Sequence, residues 1–157
     1  MQPYKFSTVK DNYYEFNTSA GTKYACYFLS YAEYFSEYRE IANNVFAFNI
    51  DMLEKGSTVI IDLRIGNTIV QIIKNFLNGL TNAVVYVCDA SDSKELLRKR
   101  KFDTWFREYD DGTIIKIDGQ ISTEDFSIYN AILIHKDNPK KNRFIEAFND
   151  LNNPDEK

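Results

Sequence analysis

Three aspartates are the residues in this sequence best placed for catalysis. Asp89 directly follows the apolar run Ala83 to Cys88, and Asp92 lies three residues on. A carboxylate at the C-terminal end of a buried strand is where many magnesium-dependent phosphoryl-transfer sites begin. Asp62 could join them from a neighbouring element. A plainer account is available, because short acidic side chains end strands and cap helices through bonds to nearby backbone N–H groups. Capping explains the spacing unaided, so a phosphoryl-transfer or nuclease-like enzyme using Asp62, Asp89 and Asp92 is the second reading, and the balance leans away from an enzyme.

The arginines offer another chemistry. Arg64, Arg98 and Arg100 could gather an anion near the start of a helix. The simpler alternative is one structural ion pair and two solvated charges. Arg98 stands four residues before Phe102, on a stripe otherwise apolar. A guanidinium there must snorkel or find a carboxylate, since an unpaired buried charge costs several kcal/mol. Burial against Asp62 or Asp89 is expected. The basic set Lys94, Lys99, Arg100 and Lys101 reads as a solvated helix face. A net charge of −4 also disfavours nucleic acid as a partner, since such binding leaves a basic footprint. His135 has no Ser or Cys nucleophile near it in sequence. P-loop, glycine-rich dinucleotide and zinc-protease motifs are missing, so neither a cofactor nor a metal site is expected.

Tyrosine is the remaining signal. Eight of eleven fall between Tyr4 and Tyr38, and Tyr is large, rigid, amphipathic and enriched at interfaces. Either these rings pack a hairpin onto its own core, or some of them, Tyr13, Tyr27, Tyr31 and Tyr34, form a recognition surface.

The elements that must position these groups follow from periodicity. Ala83 to Cys88 is short, β-branched and nearly unbroken in its apolarity, which predicts an interior strand buried on both faces. A helix from about Ser93 to Tyr109 follows, with Phe102, Trp105, Phe106 and Tyr109 inward and Leu96, Arg100, Asp103 and Arg107 outward. Ile69, Ile72, Ile73, Phe76, Leu77 and Leu80 give a second helix, Asn67 to Asn78, closed by Gly79 at C′. Asn138-Pro139 opens a third, to Leu151, with Phe144, Ile145, Phe148 and Leu151 on its apolar face.

Upstream, Tyr4 to Phe6 is read as an edge strand. Tyr13 to Thr18 and Thr22 to Leu29 form a hairpin around the three-residue loop Ser19-Ala20-Gly21, with Gly21 left-handed. Even-numbered residues then share the core face, and Tyr13 opposes Tyr27 on the outer one. A short helix is expected within Tyr31 to Asn44 and a strand at Val45 to Ile50. Glu54 to Thr58 is a loop, and Val59 to Ile61 a brief extended stretch. Asp110 to Gly112 makes a turn, and strands Thr113 to Ile117 and Ile128 to His135 are joined by a polar connection around Asp118 to Asp125.

The set Asp62-Leu63-Arg64-Ile65-Gly66-Asn67-Thr68, Val84 to Asp89 and Arg98 to Phe106, with Tyr14-Glu15-Phe16, Gly21 and Tyr24 upstream, resembles a family of small bacterial proteins of unknown function, known mainly from Bacteroidetes. The resemblance covers nearly the whole chain. That family has no established activity, so no catalytic residue carries over. It implies a bacterial, cytoplasmic protein.

Composition agrees with that expectation. The 157 residues suit one domain, residues 1–157. A signal peptide and a membrane span are not expected. Cys26 and Cys88 fall inside predicted strands, as buried free thiols would in a reducing compartment. The sequence therefore predicts a single α+β domain, an antiparallel or mixed sheet opening with a β-hairpin and carrying three main helices. Its function is read first as a non-enzymatic interaction module that binds a protein partner or itself as a homo-oligomer.

Overall fold

The computed structural model describes residues 2–57, 62–88, 94–122, 124–125 and 127–154. Seven strands form one mixed sheet: β1 (Phe6–Lys10), β2 (Tyr13–Asn17), β3 (Lys23–Ser30), β4 (Val45–Glu54), β5 (Ala83–Cys88), β6 (Ile114–Ser122) and β7 (Ser127–His135). Three helices join them: α1 (Leu63–Leu77), α2 (Glu95–Tyr109) and α3 (Lys141–Asn152). The spatial order is β1-β2-β3-β4-β5-β7-β6. Strands β1 to β4 are an antiparallel meander, β4 and β5 pair in parallel, and β7 lies antiparallel between β5 and β6.

The sheet divides two cores. On the front face α1 and α2 cover Tyr14, Phe16, Phe28, Phe48, Val84 and Leu133. On the back face Phe144 and Phe148 of α3, with Phe35, Tyr38 and Ile41, cover Val45, Val85, Ile132 and Ile134. Ala83 to Cys88 is the interior strand its composition predicts. Its residues Ala83, Val84 and Val85 are fully buried, one face feeding each core.

The hairpin register is as predicted. Tyr13 opposes Tyr27, and Asn17 opposes Lys23. Thr18 N–H donates to Thr22 O (2.9 Å), closing a loop in which Gly21 has φ +83°.

Several elements differ from their sequence expectation. The first strand starts at Phe6 rather than Tyr4, because the Tyr4 N–H donates to Thr68 Oγ1 of α1 (2.8 Å) and leaves the ladder. Helix α1 begins at Leu63, four residues early. Asp62 caps it, its carboxylate accepting from Arg64 N–H (3.0 Å). At its other end the left-handed residue is Leu80 (φ 60°), and not Gly79. The Tyr31 to Asn44 segment holds two single 3-10 turns, Ala32–Phe35 and Ala42–Asn44, in place of an α-helix. Strand β4 continues to Glu54. The polar stretch after Ile117 extends β6 to Ser122, since Gln120 and Ser122 pair with Tyr129 and Ser127. Asn138 caps the turn before α3, its side chain accepting from Lys140 N–H (2.9 Å). The expected extension of Val59 to Ile61 and the helix start at Ser93 lie outside the described residues, as do Asp89 and Asp92.

Candidate functional site

The back face of the sheet is only half covered. Helix α3 packs against β6 and β7, and no described element forms a layer over the outward residues of β1, β2 and β3 and the far end of β4. Strand alternation fixes what they present, because inward Tyr14, Phe16, Cys26 and Phe28 commit the odd positions to the outside. Tyr13 and Tyr27 stack across the pair with centroids 5.7 Å apart and ring planes 20° apart. The Lys10 ammonium stands 5.1 Å from the Tyr13 ring centroid. The Tyr27 hydroxyl donates to Asp51 (2.8 Å), and that bond, followed by burial, raises the pKa of the phenol. Beside them Lys23 pairs with Glu15 (3.1 Å). Ala25 faces outward yet is fully buried, since its methyl sits below Glu15 and Asp51 across the ladder and between Lys23 and Tyr27 along it.

Apolar surface accompanies these rings. Val9 and Leu29 are each 55% exposed, and Leu53 is exposed as well. Leu29 follows Tyr27 on the same face and opposes Ala47. Tyr31 and Tyr34, at the exit of β3, stack at 4.3 Å. Tyr34 is exposed, while burial raises the pKa of the Tyr31 phenol. All four tyrosines singled out by sequence thus form stacked pairs, Tyr13 with Tyr27 on the strands and Tyr31 with Tyr34 at the 3-10 turn that packs beside α3.

Of the acidic and basic candidates, Asp62, Arg64, Arg98 and Arg100 are described, and they lie elsewhere. Asp62 caps α1, and its second oxygen accepts from the Tyr4 hydroxyl (2.6 Å). The same hydroxyl meets Ser19 Oγ at 3.1 Å and accepts from Ser19 N–H, so one phenol joins the first residues, the hairpin loop and α1. Sequence reasoning missed Tyr4 because an isolated ring before a strand carries no periodic signal. The Arg64 guanidinium lies 3.8 Å from the Tyr4 ring centroid, and its Nε donates to Gln2 O (2.9 Å). Arg98 is half-buried, less than its stripe position implied, and lines a cleft on the front face. Arg100 is exposed, two residues and so about 200° around the helix from Arg98. The three arginines do not converge.

The basic run on α2 is likewise divided. Lys99 binds Asp103 (2.6 Å), which also accepts from Lys116 of β6 (2.6 Å), whereas Lys101 stands over the Trp105 ring at 5.4 Å. His135 Nδ1 accepts from Asp137 N–H (3.0 Å). Cys26 and Cys88 are free and buried. Burial, then the Asp51 charge, pushes the Cys26 thiol up to about 12. Among the described residues no group of three or more His, Cys, Asp or Glu side chains could hold a metal ion, and no helix is long and apolar enough to cross a membrane.

The model of a family of unknown function, DUF6169, matches residues 61–150, the stretch from the α1 cap to the body of α3. No curated protein and no solved structure matches.

Proposed function

Because the chain belongs to the DUF6169 family of unknown function, its role must come from its own geometry, and we propose that it is a non-enzymatic, single-domain interaction module. The supporting observation is the bare half-face of the sheet with its stacked Tyr13–Tyr27 pair. A pair of this kind stabilises a sheet by at most about 1 kcal/mol, whereas Tyr is a frequent hot spot at interfaces. The occupant we infer is a second copy of the chain. The face interleaves both signs of charge, Lys10 and Lys23 with Glu15 and Asp51, around apolar Val9 and Leu29. A two-fold copy can set unlike charges against each other, as an isologous interface requires. Two buried free thiols suit a reducing cytoplasm.

Light scattering on the eluting protein tests this reading. Wild type should run as a dimer, and Tyr13→Ala/Tyr27→Ala as a folded monomer. A monomeric wild type, or a double variant that keeps the dimer, would reject it.

A further inference from the structure

Three places in the chain set a side-chain carbonyl directly ahead of a glycine: Asn78-Gly79, Asp111-Gly112 and Asp118-Gly119. At such a pair the glycine nitrogen can attack the carbonyl carbon before it and close a cyclic imide. Glycine favours the attack, because no side chain blocks the approach and its backbone turns freely. Whether a pair reacts depends on what its nitrogen and its carbonyl are bonded to in the fold.

Two of the three are locked. Hydrogen bonds from Thr113, then from Lys74, hold the Asp111 carboxyl down at about 2, and an ionised carboxylate is a poor electrophile. The Gly112 N–H beside it donates to Asp110 Oδ2 (3.0 Å). Gly119 lies inside β6. Lys136 N–H donates to Thr113 O (2.9 Å), which sets the phase of the β6–β7 ladder. The odd-numbered residues of β6 therefore bond to β7, Gly119 opposite Asn130 among them. Asp118 itself is ion-paired with Lys116.

Asn78-Gly79 is open. The pair follows α1, and both residues are exposed. Among the described residues the Asn78 carboxamide has no hydrogen-bond partner and the Gly79 N–H has no acceptor. The turn around them is held weakly. Asn78 N–H reaches Asn75 O at 3.4 Å, and Leu80 N–H reaches Leu77 O at 3.1 Å. Leu80 has φ 60°, a left-handed conformation that glycine takes freely and leucine does not. Asn78 is still helical, with ψ −21°, and must swing toward the extended region to bring its carboxamide carbon onto the Gly79 nitrogen. That swing breaks the Leu80 bond and frees Leu80 from its strained conformation, so the fold sets little against it.

We propose that Asn78 is a spontaneous modification site, deamidated through attack by Gly79. The Gly79 nitrogen gives its proton to water and bonds to Asn78 Cγ. The side-chain amide leaves as ammonia, and the imide joins the two residues. Water then opens the ring. Cleavage of one C–N bond leaves aspartate, and cleavage of the other leaves isoaspartate, with the chain running through the former side chain. The sum is amide plus water to acid plus ammonia, with nothing oxidised or reduced. Either product sets a carboxylate at the negative end of the α1 dipole. It also lies one turn after Lys74, on the same helix face. Lys74 pairs with Asp111 (3.1 Å), so the new charge competes for the cation that ties α1 to the turn after α2.

The full chain is aged at physiological temperature, digested with trypsin in mild acid, and the peptide of residues 75–94 is sequenced by mass spectrometry. That peptide also holds Asn75 and Asn82 as internal references. Conversion should fall on Asn78, isoaspartate should exceed aspartate, and the rate should rise with pH because the attacking nitrogen must lose its proton. In Gly79→Ala the added methyl meets nothing nearer than Thr81 Oγ1 at 3.8 Å, so the fold stays. That methyl restricts the swing and crowds the attack, and conversion should slow roughly tenfold or more. Tyr13→Ala/Tyr27→Ala should convert as wild type does, so failure of the dimer leaves this test intact. The free peptide of residues 75–94 is aged alongside as the unhindered reference. A folded chain that stays intact while that peptide converts, equal conversion at Asn75 or Asn82, or an unchanged rate in Gly79→Ala would overturn the proposal.

Discussion

The two halves of this sheet solve the same problem differently. Strands β5 and β7 lie between helix layers, and Val84, Val85, Ile132, Leu133 and Ile134 are all fully buried. Strands β2 and β3 have α1 over the front and no described helix over the back, so Phe16 and Phe28 are buried while Glu15 and Lys23 meet as a partly exposed ion pair. A strand covered twice must be apolar at every position, and one covered once need be apolar only at alternate positions. The outer positions of the second kind are released from packing. Stacked tyrosines and exposed Val9 and Leu29 occupy them here, which is costly in water unless something else covers them. The family match, residues 61–150, takes in β5 to β7 and leaves the meander β1 to β4 outside it.

The strongest way to break the contrast is to hollow the doubly covered half. Phe148, fully buried under β7, should lose about 3–5 kcal/mol as Phe148→Ala, read from urea denaturation. Gly66→Ala must displace Trp105, so about 1–3 kcal/mol of destabilisation is expected, with a red-shifted tryptophan emission. Retained emission and stability would show that α1 and α2 separate freely.

The singly covered half should respond much less. Tyr13→Ala/Tyr27→Ala is expected to cost about 1 kcal/mol or less in the unfolding of the monomer. A loss comparable to that of Phe148→Ala would mean that the face is structural.

The smallest effect belongs to the Lys99–Asp103–Lys116 cluster, which ties α2 to β6. Burial opposes ionisation of Asp103, but hydrogen bonds from Lys116 and Lys99 outweigh it and hold the carboxyl below its ordinary 3.8. A depressed folded pKa stabilises the protein above 3.8, and that contribution is lost as pH falls through the depressed value. Asp103→Asn should therefore cost about 1 kcal/mol or less at neutral pH, as partly exposed pairs do. The difference from wild type should vanish in more acidic solution, as urea titrations across the acid range would show.

How much of this was legible in the sequence follows the same division. The hairpin register was readable to the residue, because alternation along Tyr13 to Asn17 and Lys23 to Leu29 and the left-handed Gly21 point to one pairing. Strand β5 and the apolar faces of α1, α2 and α3 were readable because a period repeated over several turns outweighs local noise. Element ends were less so. Asp62 as a cap moves the start of α1 back to Leu63, and Leu80 takes the left-handed turn that a glycine was expected to take. Those depend on backbone bonds that leave little trace in composition. The front-face cleft that Arg98 lines was not legible at all. It comes from strands that part after Ala47 and from a glycine and a tryptophan meeting across two helices, and a lone Gly66 in a helical pattern facing an aromatic stripe was its only trace.

The surface claim is tested most directly by amide chemical shifts recorded as the protein is diluted. Association through the bare half-face predicts concentration-dependent shifts at the amides of Tyr13, Glu15, Ala25, Tyr27 and Leu29, with Val85, Ile132 and Phe148 unmoved, and no such dependence in Tyr13→Ala/Tyr27→Ala. Shifts that map onto α3 or the front helices, or a spectrum indifferent to dilution in a monomeric wild type, would contradict it.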